Sequence, residues 1–439
     1  MRKLILFIAL IFAKVGYGQA KASFTTSDYV HALKDATDIM VNDVTSPIAA
    51  SRYYAYINLT ANETVALFDK QQPHFVGVAK GLTGIIVDDS LISRSDPQLA
   101  AILGVYKSAA RLLPSGYLLK NRTDSLKQIA GKRKIPVEKI NLTIELVDRV
   151  VDQVFKYAYA DGFAKLSGLK RFTPLTGDAY WQPTAPGFMA ALEPHWKTLR
   201  TFMLDSCSQF ACAPPHTYSV DTGSSFYKDL KEVYDVGKNL SHEQLGTAMF
   251  WDCNPFALQQ VGHLEFGIKK ISPGGHWMGI TGIVCKKQKL NLSKTVYAHA
   301  LVSIGLADAF ISCWNDKYRY NRVRPETAIK RLIDNDWAPL LQTPPFPEYS
   351  SGHSVISATA ATILTWLFGD KVSFVDQTEM EFGLPARKFE SFNQASKEAA
   401  ISRLYGGIHF RDAIENGAGS GEQIGKFIIA HSPGKWINN

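Results

Sequence analysis

The chain has 439 residues, enough to bury one large core or two modest ones. Its 46% hydrophobic and 20% charged composition is that of an ordinary globular protein and excludes intrinsic disorder. A formal net charge of +8 favours anionic ligands or surfaces. No Lys/Arg block with interleaved aromatics and no nucleic-acid motif is present, so nucleic acid is not the expected partner.

Residues 1–20 read as an export signal. Met1, Arg2 and Lys3 give a basic start, residues 4–13 an apolar run, and Gly16, Gly18 and Ala20 a small-residue region where cleavage can fall. The run is too short to cross a bilayer, and no later stretch is expected to span one. The mature protein is therefore expected to be soluble and exported, either periplasmic or secreted.

From 21 to 171 the chain reads as a helical part, with apolar residues at three- and four-residue spacing over 46–68, 97–113 and 137–163. Residues 172–241 differ: rich in Pro, Gly, Ser, Thr and aromatics, they predict a folded connection that packs across the helices. Residues 242–439 return to helical periodicity. The segment 293–319 is the clearest case, with Ser293 as expected N-cap and Val296, Ala300, Ile304, Ala307, Ile311 and Trp314 on one stripe. Segments 350–368 and 412–429 complete the set. The expected fold class is all-α, two helical bundles forming one compact domain over 21–439. Five cysteines, Cys207, Cys212, Cys253, Cys285 and Cys313, are an odd number. Cys207 and Cys212 are near enough to close a short loop, but buried free thiols are the simpler expectation.

Three short segments in the last third concentrate the unusual chemistry. Lys317 and Arg324, with six residues between them and Pro325 following, sit where a helix must end and place two cations at its terminus and the turn beyond. Ser351, Gly352 and His353 run straight into the apolar 355–368 segment. Unpaired backbone N–H groups at such a helix start attract anions; Gly352 permits close approach, Ser351 adds a hydroxyl and His353 a proton carrier. Arg403 then adds a third cation suited to oxyanions. His409 follows, with Asp412 one helical turn away to fix its tautomer. Each segment alone is compatible with a solvated basic face, a plain N-cap or a surface ion pair. Their order and spacing together specify one pocket for a tetrahedral oxyanion.

The pattern Lys-x6-Arg-Pro, Ser-Gly-His and Ser-Arg-x3-Gly-x-His-x2-Asp resembles the signature of the vanadium-dependent haloperoxidases. That family shares it with the type-2 phosphatidic acid phosphatase superfamily, soluble acid phosphatases included. The motifs cover 317–412, and weaker similarity through 180–186, 250–256 and 273–277 is greatest to bacterial haloperoxidases, some of them iodide-specific. One departure is Ser350, where the family usually has proline before Ser-Gly-His. The resemblance implies that His409 bonds vanadate, that Lys317, Arg324, Arg403, Ser351 and the Gly352 N–H hold its oxygens, and that His353 is the acid–base group. Hydrogen peroxide and halide, iodide foremost and bromide second, are the implied substrates, and hypohalous acid the product.

Phosphate has the same shape and charge, so the same residues serve a phosphatase in which His409 attacks phosphorus and His353 protonates the leaving alcohol. Trp314 and Phe346, expected to line the halide approach, favour a polarizable halide over a hydrated phosphomonoester. Absence of membrane spans argues against a lipid phosphatase. A mere oxyanion binder has no need of His353, His409 and Asp412 together. Phe256 and Asn315 are further candidates to modulate the pocket, and His276 to lie near its entrance. His195, His216 and His263 lack ligand spacing and are expected to be structural. Oligomeric state is not legible.

Overall fold

A computed structural model describes residues 23–255, 257–261 and 264–434. The expected export signal, Phe256 and His263 lie outside these residues. Six helices precede the long connection: α1 (Thr26–Asn42), α2 (Pro47–Ala66), α3 (Asp89–Arg94), α4 (Pro97–Leu112), α5 (Lys120–Lys132) and α6 (Val137–Tyr159). After it come α7 (Ser225–Lys238), α8 (His242–Phe250), α9 (Pro273–Lys287), α10 (Leu292–Tyr320), α11 (Pro325–Leu332), α12 (Gly352–Phe368), α13 (Phe392–Tyr405) and α14 (Arg411–Ala430). Two small antiparallel pairs interrupt the helices: β1 (Ala257–Val261) with β2 (Leu264–Ile268), and β3 (Phe374–Asp376) with β4 (Arg387–Phe389). The fold is all-α, as expected.

Local chemistry sets the helix starts. Proline occupies the first turn of α2, α4 and α9, where its missing N–H costs nothing. Ser46, Asp96 and Ser272 each accept a first-turn N–H as N-cap. For α10 the cap is Asn291, which accepts from the Lys294 N–H, two residues before the expected Ser293.

α10 is the axis of the molecule. It packs against α2 on one flank and α12 on another, and α12 in turn carries α13 and α14. The predicted stripe is buried, but so are Tyr297, Leu301, Ala309 and Phe310 on other faces. A helix with neighbours all round is apolar all round, so one amphipathic face understated its burial. Its 29 residues are long and apolar enough to cross a membrane, which amends the expectation that no segment reaches that length. Its most apolar stretch is wholly buried inside the protein, so here it is a core helix. One continuous apolar cluster links Ile57 of α2, Ile304 of α10, Ile363 of α12 and Ile424 of α14.

The connection is strapped along the C-terminal half of α10. The Asp308 carboxylate, fully buried, accepts the backbone N–H groups of Phe202, Met203 and Leu204 at 2.6, 2.7 and 2.9 Å. Farther along, Asp316 accepts from the Cys212 N–H at 3.0 Å. Trp314 and Tyr318 both donate to the Leu192 carbonyl, at 3.3 and 2.6 Å. All five cysteines are free thiols, so the short Cys207–Cys212 loop is not closed by a disulfide.

Candidate active site

Three chain reversals bring the site together at one end of α10. The helix stops at Asn321, which adopts a left-handed conformation (φ 50°) that few residues other than glycine tolerate and asparagine tolerates best. Arg324 then stands as N-cap of α11 with Pro325 after it. Ser351 caps α12: its oxygen accepts the Ser354 N–H and hydroxyl at 3.4 and 2.8 Å, leaving its own proton for a ligand. The third reversal, after α13, uses Gly407 at φ 74°, where a side chain would also press Pro339 and Trp337 at 3.1 Å. That turn aims His409 back toward α12.

The result is a cavity of about 40 Å³, room for a few waters or one small oxyanion. Gly352, His353, Arg403, His409, Trp314 and Phe346 line it. Lys317, Arg324 and Ser351 stand behind that lining, each fully buried. Lys317 Nζ donates to the carbonyls of Pro347, Glu348 and Ser350 at 3.1, 3.0 and 2.6 Å. Arg324 donates to Phe346 and Ile408 carbonyls at 3.0 and 2.8 Å, and its Nη1 lies 3.3 Å from His409 Nε2. Arg403 is held by the Trp251 carbonyl at 2.8 Å and the Ser402 hydroxyl at 3.0 Å. Ser350, at the position where the family has proline, thus supplies a carbonyl to Lys317.

His409 receives its orienting carboxylate from Glu348, not from Asp412. Glu348 Oε1 lies 2.8 Å from His409 Nδ1 and also accepts the Phe410 N–H at 3.0 Å. Asp412 points elsewhere, accepting from Arg322 at 2.5 Å and from the His216 N–H at 2.9 Å. One turn of sequence separation did not become contact because Arg322 reaches Asp412 first. Arg322, which also lies 3.4 Å from Glu348, therefore couples the two acids. Sequence reasoning missed both residues, although Glu348 lies only three positions before Ser351.

Electrostatics follow from burying cations together. Burial, then the neighbouring Arg324, pulls Lys317 down to about 8, while Cys313 and Glu348 oppose this. Burial likewise lowers Arg324 to about 10, against Glu348. His409 is held well below its usual range by burial and by Arg324, Lys317 and Arg403. His353 is held low by burial, Arg403 and His409. Both rings are thus neutral. With Nδ1–H given to Glu348, His409 Nε2 carries a lone pair that accepts from Arg324 Nη1 at 3.3 Å. His353 Nε2 is buried with no hydrogen-bond partner in the protein. At Gly352 an added Cβ meets nothing closer than 3.9 Å, so protein packing does not demand the glycine.

Trp314 and Phe346 form an aromatic wall, ring centroids 5.0 Å apart. Lys317 Nζ lies 5.0 Å from the Phe346 ring and 5.7 Å from that of Trp314. Asn315 faces Cys207 and does not line the cavity. His276 is buried among acids rather than at an entrance. His195 and His216 bond the Lys170 carbonyl and Asp229.

The described residues fold as a helical-bundle protein with a buried, cation-lined cavity, and comparison with known proteins agrees on the fold. Residues 298–436 match the family model described as the second helical-bundle domain of VCPO. A solved structure titled as the first bacterial vanadium-dependent iodoperoxidase superposes with a TM-score of 0.87 at 41% identity, over 94% of this chain and 99% of that one. Holo and apo structures of a bacterial vanadium-dependent chloroperoxidase share the fold at 16% identity, with TM-scores of 0.66 and 0.65. These two cover 89% of this chain and 94% and 95% of their own. No curated protein matches significantly. The chain belongs to the vanadium-dependent haloperoxidase family.

Proposed function

We propose that this protein binds vanadate in the cavity and uses hydrogen peroxide to oxidise halide, iodide first, to hypohalous acid. The observation that carries the reading is the charge of the site. Lys317, Arg324 and Arg403 are buried around one small cavity against Glu348 and an Asp252 already paired with Lys270, an arrangement that needs an anion to offset it. The residues fit a tetrahedral oxyanion on three further counts: the lone pair of His409, the unpartnered His353 Nε2 and the empty cradle at Gly352.

In that role His409 Nε2 bonds the metal, with Glu348 strengthening the ring's basicity through Nδ1. Lys317, Arg324 and Arg403 offset the oxygen charges, helped by the Ser351 hydroxyl and the Gly352 N–H at the start of α12. Bound vanadate supplies a Lewis-acidic centre that polarises peroxide toward nucleophilic attack. His353, facing the cavity with an unpartnered Nε2, would hold and move the proton that peroxide gives up. The balance is peroxide plus iodide plus a proton, giving hypoiodous acid and water. Trp314 and Phe346 exclude water from one side and offer a polarizable surface to a large halide. The choice of iodide rests on that wall and on the 41% identical relative titled an iodoperoxidase.

The test is reconstitution of metal-free protein with orthovanadate, followed by peroxide-dependent iodide oxidation beside hydrolysis of an aryl phosphate. Saturable, vanadate-dependent iodide oxidation with negligible phosphate turnover is expected. Phosphatase turnover without peroxide chemistry overturns the reading.

A further inference from the structure

Beside the cavity, which Cys253 itself lines, lies a second cluster of buried side chains that halide oxidation does not use. Cys253 Sγ lies 3.4 Å from His276 Nδ1 and 3.7 Å from Glu379 Oε1, and those two atoms are 3.1 Å apart. The exposures of Cys253, His276 and Glu379 are 1%, 0% and 2%. They come from the segment after α8, from α9 and from the turn after β3. On its other side His276 Nε2 lies 2.7 Å from Asp376 Oδ2, and Asp376 is fixed by the Thr378 N–H and hydroxyl at 3.0 and 2.7 Å.

We propose that Cys253, His276 and Glu379 form a binding site for a zinc-class divalent ion, adjoining the oxyanion pocket through Cys253. Metal–ligand lengths for zinc with sulfur, nitrogen and oxygen give tetrahedral ligand–ligand edges of about 3.3–3.6 Å. The three edges here, 3.4, 3.1 and 3.7 Å, lie within about 0.3 Å of such a face before any ion enters. Three protein ligands leave one position for water, as tetrahedral zinc often has. The donor set of thiolate, imidazole and carboxylate selects a borderline-soft ion over calcium or magnesium. Asp376 supplies the outer carboxylate that orients a metal-bound histidine.

Charge balance supports exchange of protons for the ion. Without metal, His276 Nε2 faces Asp376 and Nδ1 faces both Cys253 and Glu379, so a proton on each ring nitrogen is matched by an acceptor. Replacing the Nδ1 proton and the thiol proton by a dication leaves the net charge of the cluster unchanged. The consequence reaches the oxyanion pocket. The Trp251 ring stacks on His276 at 4.5 Å and 16°, and the Trp251 carbonyl holds Arg403. An ion here would pin the wall that aims Arg403.

The experiment titrates full-length protein, stripped with a chelator, with cobalt(II) and then zinc. One equivalent of cobalt is expected to produce a near-ultraviolet thiolate-to-metal band that zinc displaces. Cys253→Ser should abolish the band, whereas Cys285→Ser, a buried thiol elsewhere, and His409→Ala in the oxyanion pocket should retain it. Asp376→Asn should keep the band and weaken affinity by about 10–100-fold. Absence of a thiolate band in the wild-type protein, or its survival in Cys253→Ser, overturns the proposal and leaves the cluster a buried ion pair.

Discussion

The two ring nitrogens of His409 have opposite duties, and Glu348 divides them. By accepting Nδ1–H at 2.8 Å it keeps the lone pair on the cavity side. Glu348→Gln should therefore lower vanadate affinity by about 10–100-fold, read by vanadate titration. Asp412→Asn, one step removed through Arg322, should cost less than Glu348→Gln in the same titration; the reverse order would restore Asp412 as the orienting acid. His353 differs, because its unpartnered Nε2 offers proton transfer rather than metal binding. His353→Ala should cut kcat by about 10²–10⁴-fold while the vanadate titration shifts far less. The residues of the three motifs were legible because each marks a helix end, and helix ends are written locally. The Glu348–His409 pair was not, because 61 positions separate its members and only the fold joins them.

At the scale of elements, what positions the pocket is the close approach of α12 and α14. Gly417, Gly421 and Gly425 recur every four residues along α14 and face α12. At Gly421 an added Cβ would stand 2.1 Å from the Val355 carbonyl, and the Gly421 carbonyl accepts from Thr359 at 2.9 Å. Backbone cannot yield as a flexible side chain can. Gly421→Ala should therefore destabilise the protein by about 1–3 kcal/mol or more, seen as a lower urea midpoint, and should weaken vanadate binding by shifting Ser351 relative to His409. An unchanged midpoint would mean that the helices separate freely. Helix periodicity made α2, α4, α6, α10, α12 and α14 legible in outline. The all-round burial of α10 was not, since periodicity reports one face and cannot count neighbours. The short strands β1–β4 escaped too, because a few residues cannot establish alternation.

For the molecule as a whole, enclosing three cations creates a stability deficit that an anion relieves. Lys317 carries the pH dependence. Its folded value of about 8 lies below the ordinary 10.5, so between these the unfolded chain holds more protons. Stability of the ligand-free protein should accordingly rise with pH across that window, contributed by the loss of a buried charge. Below pH 8 the lysine is charged in both states and the deficit is fully present. Oxyanion binding has the opposite trend, because it requires the charged lysine and weakens as the proton leaves. At neutral pH, orthovanadate or phosphate at a hundred times its Kd should stabilise the fold by about 2.7 kcal/mol through mass action alone. The rise in Tm on adding a fixed concentration of phosphate should therefore be greatest near pH 7 and shrink above pH 8. Lys317→Met should remove most of that pH dependence, leaving a smaller, flatter shift from Arg324 and Arg403. A shift that keeps growing above pH 8, where phosphate is already the dianion, would assign the anion's binding energy to groups other than this buried lysine.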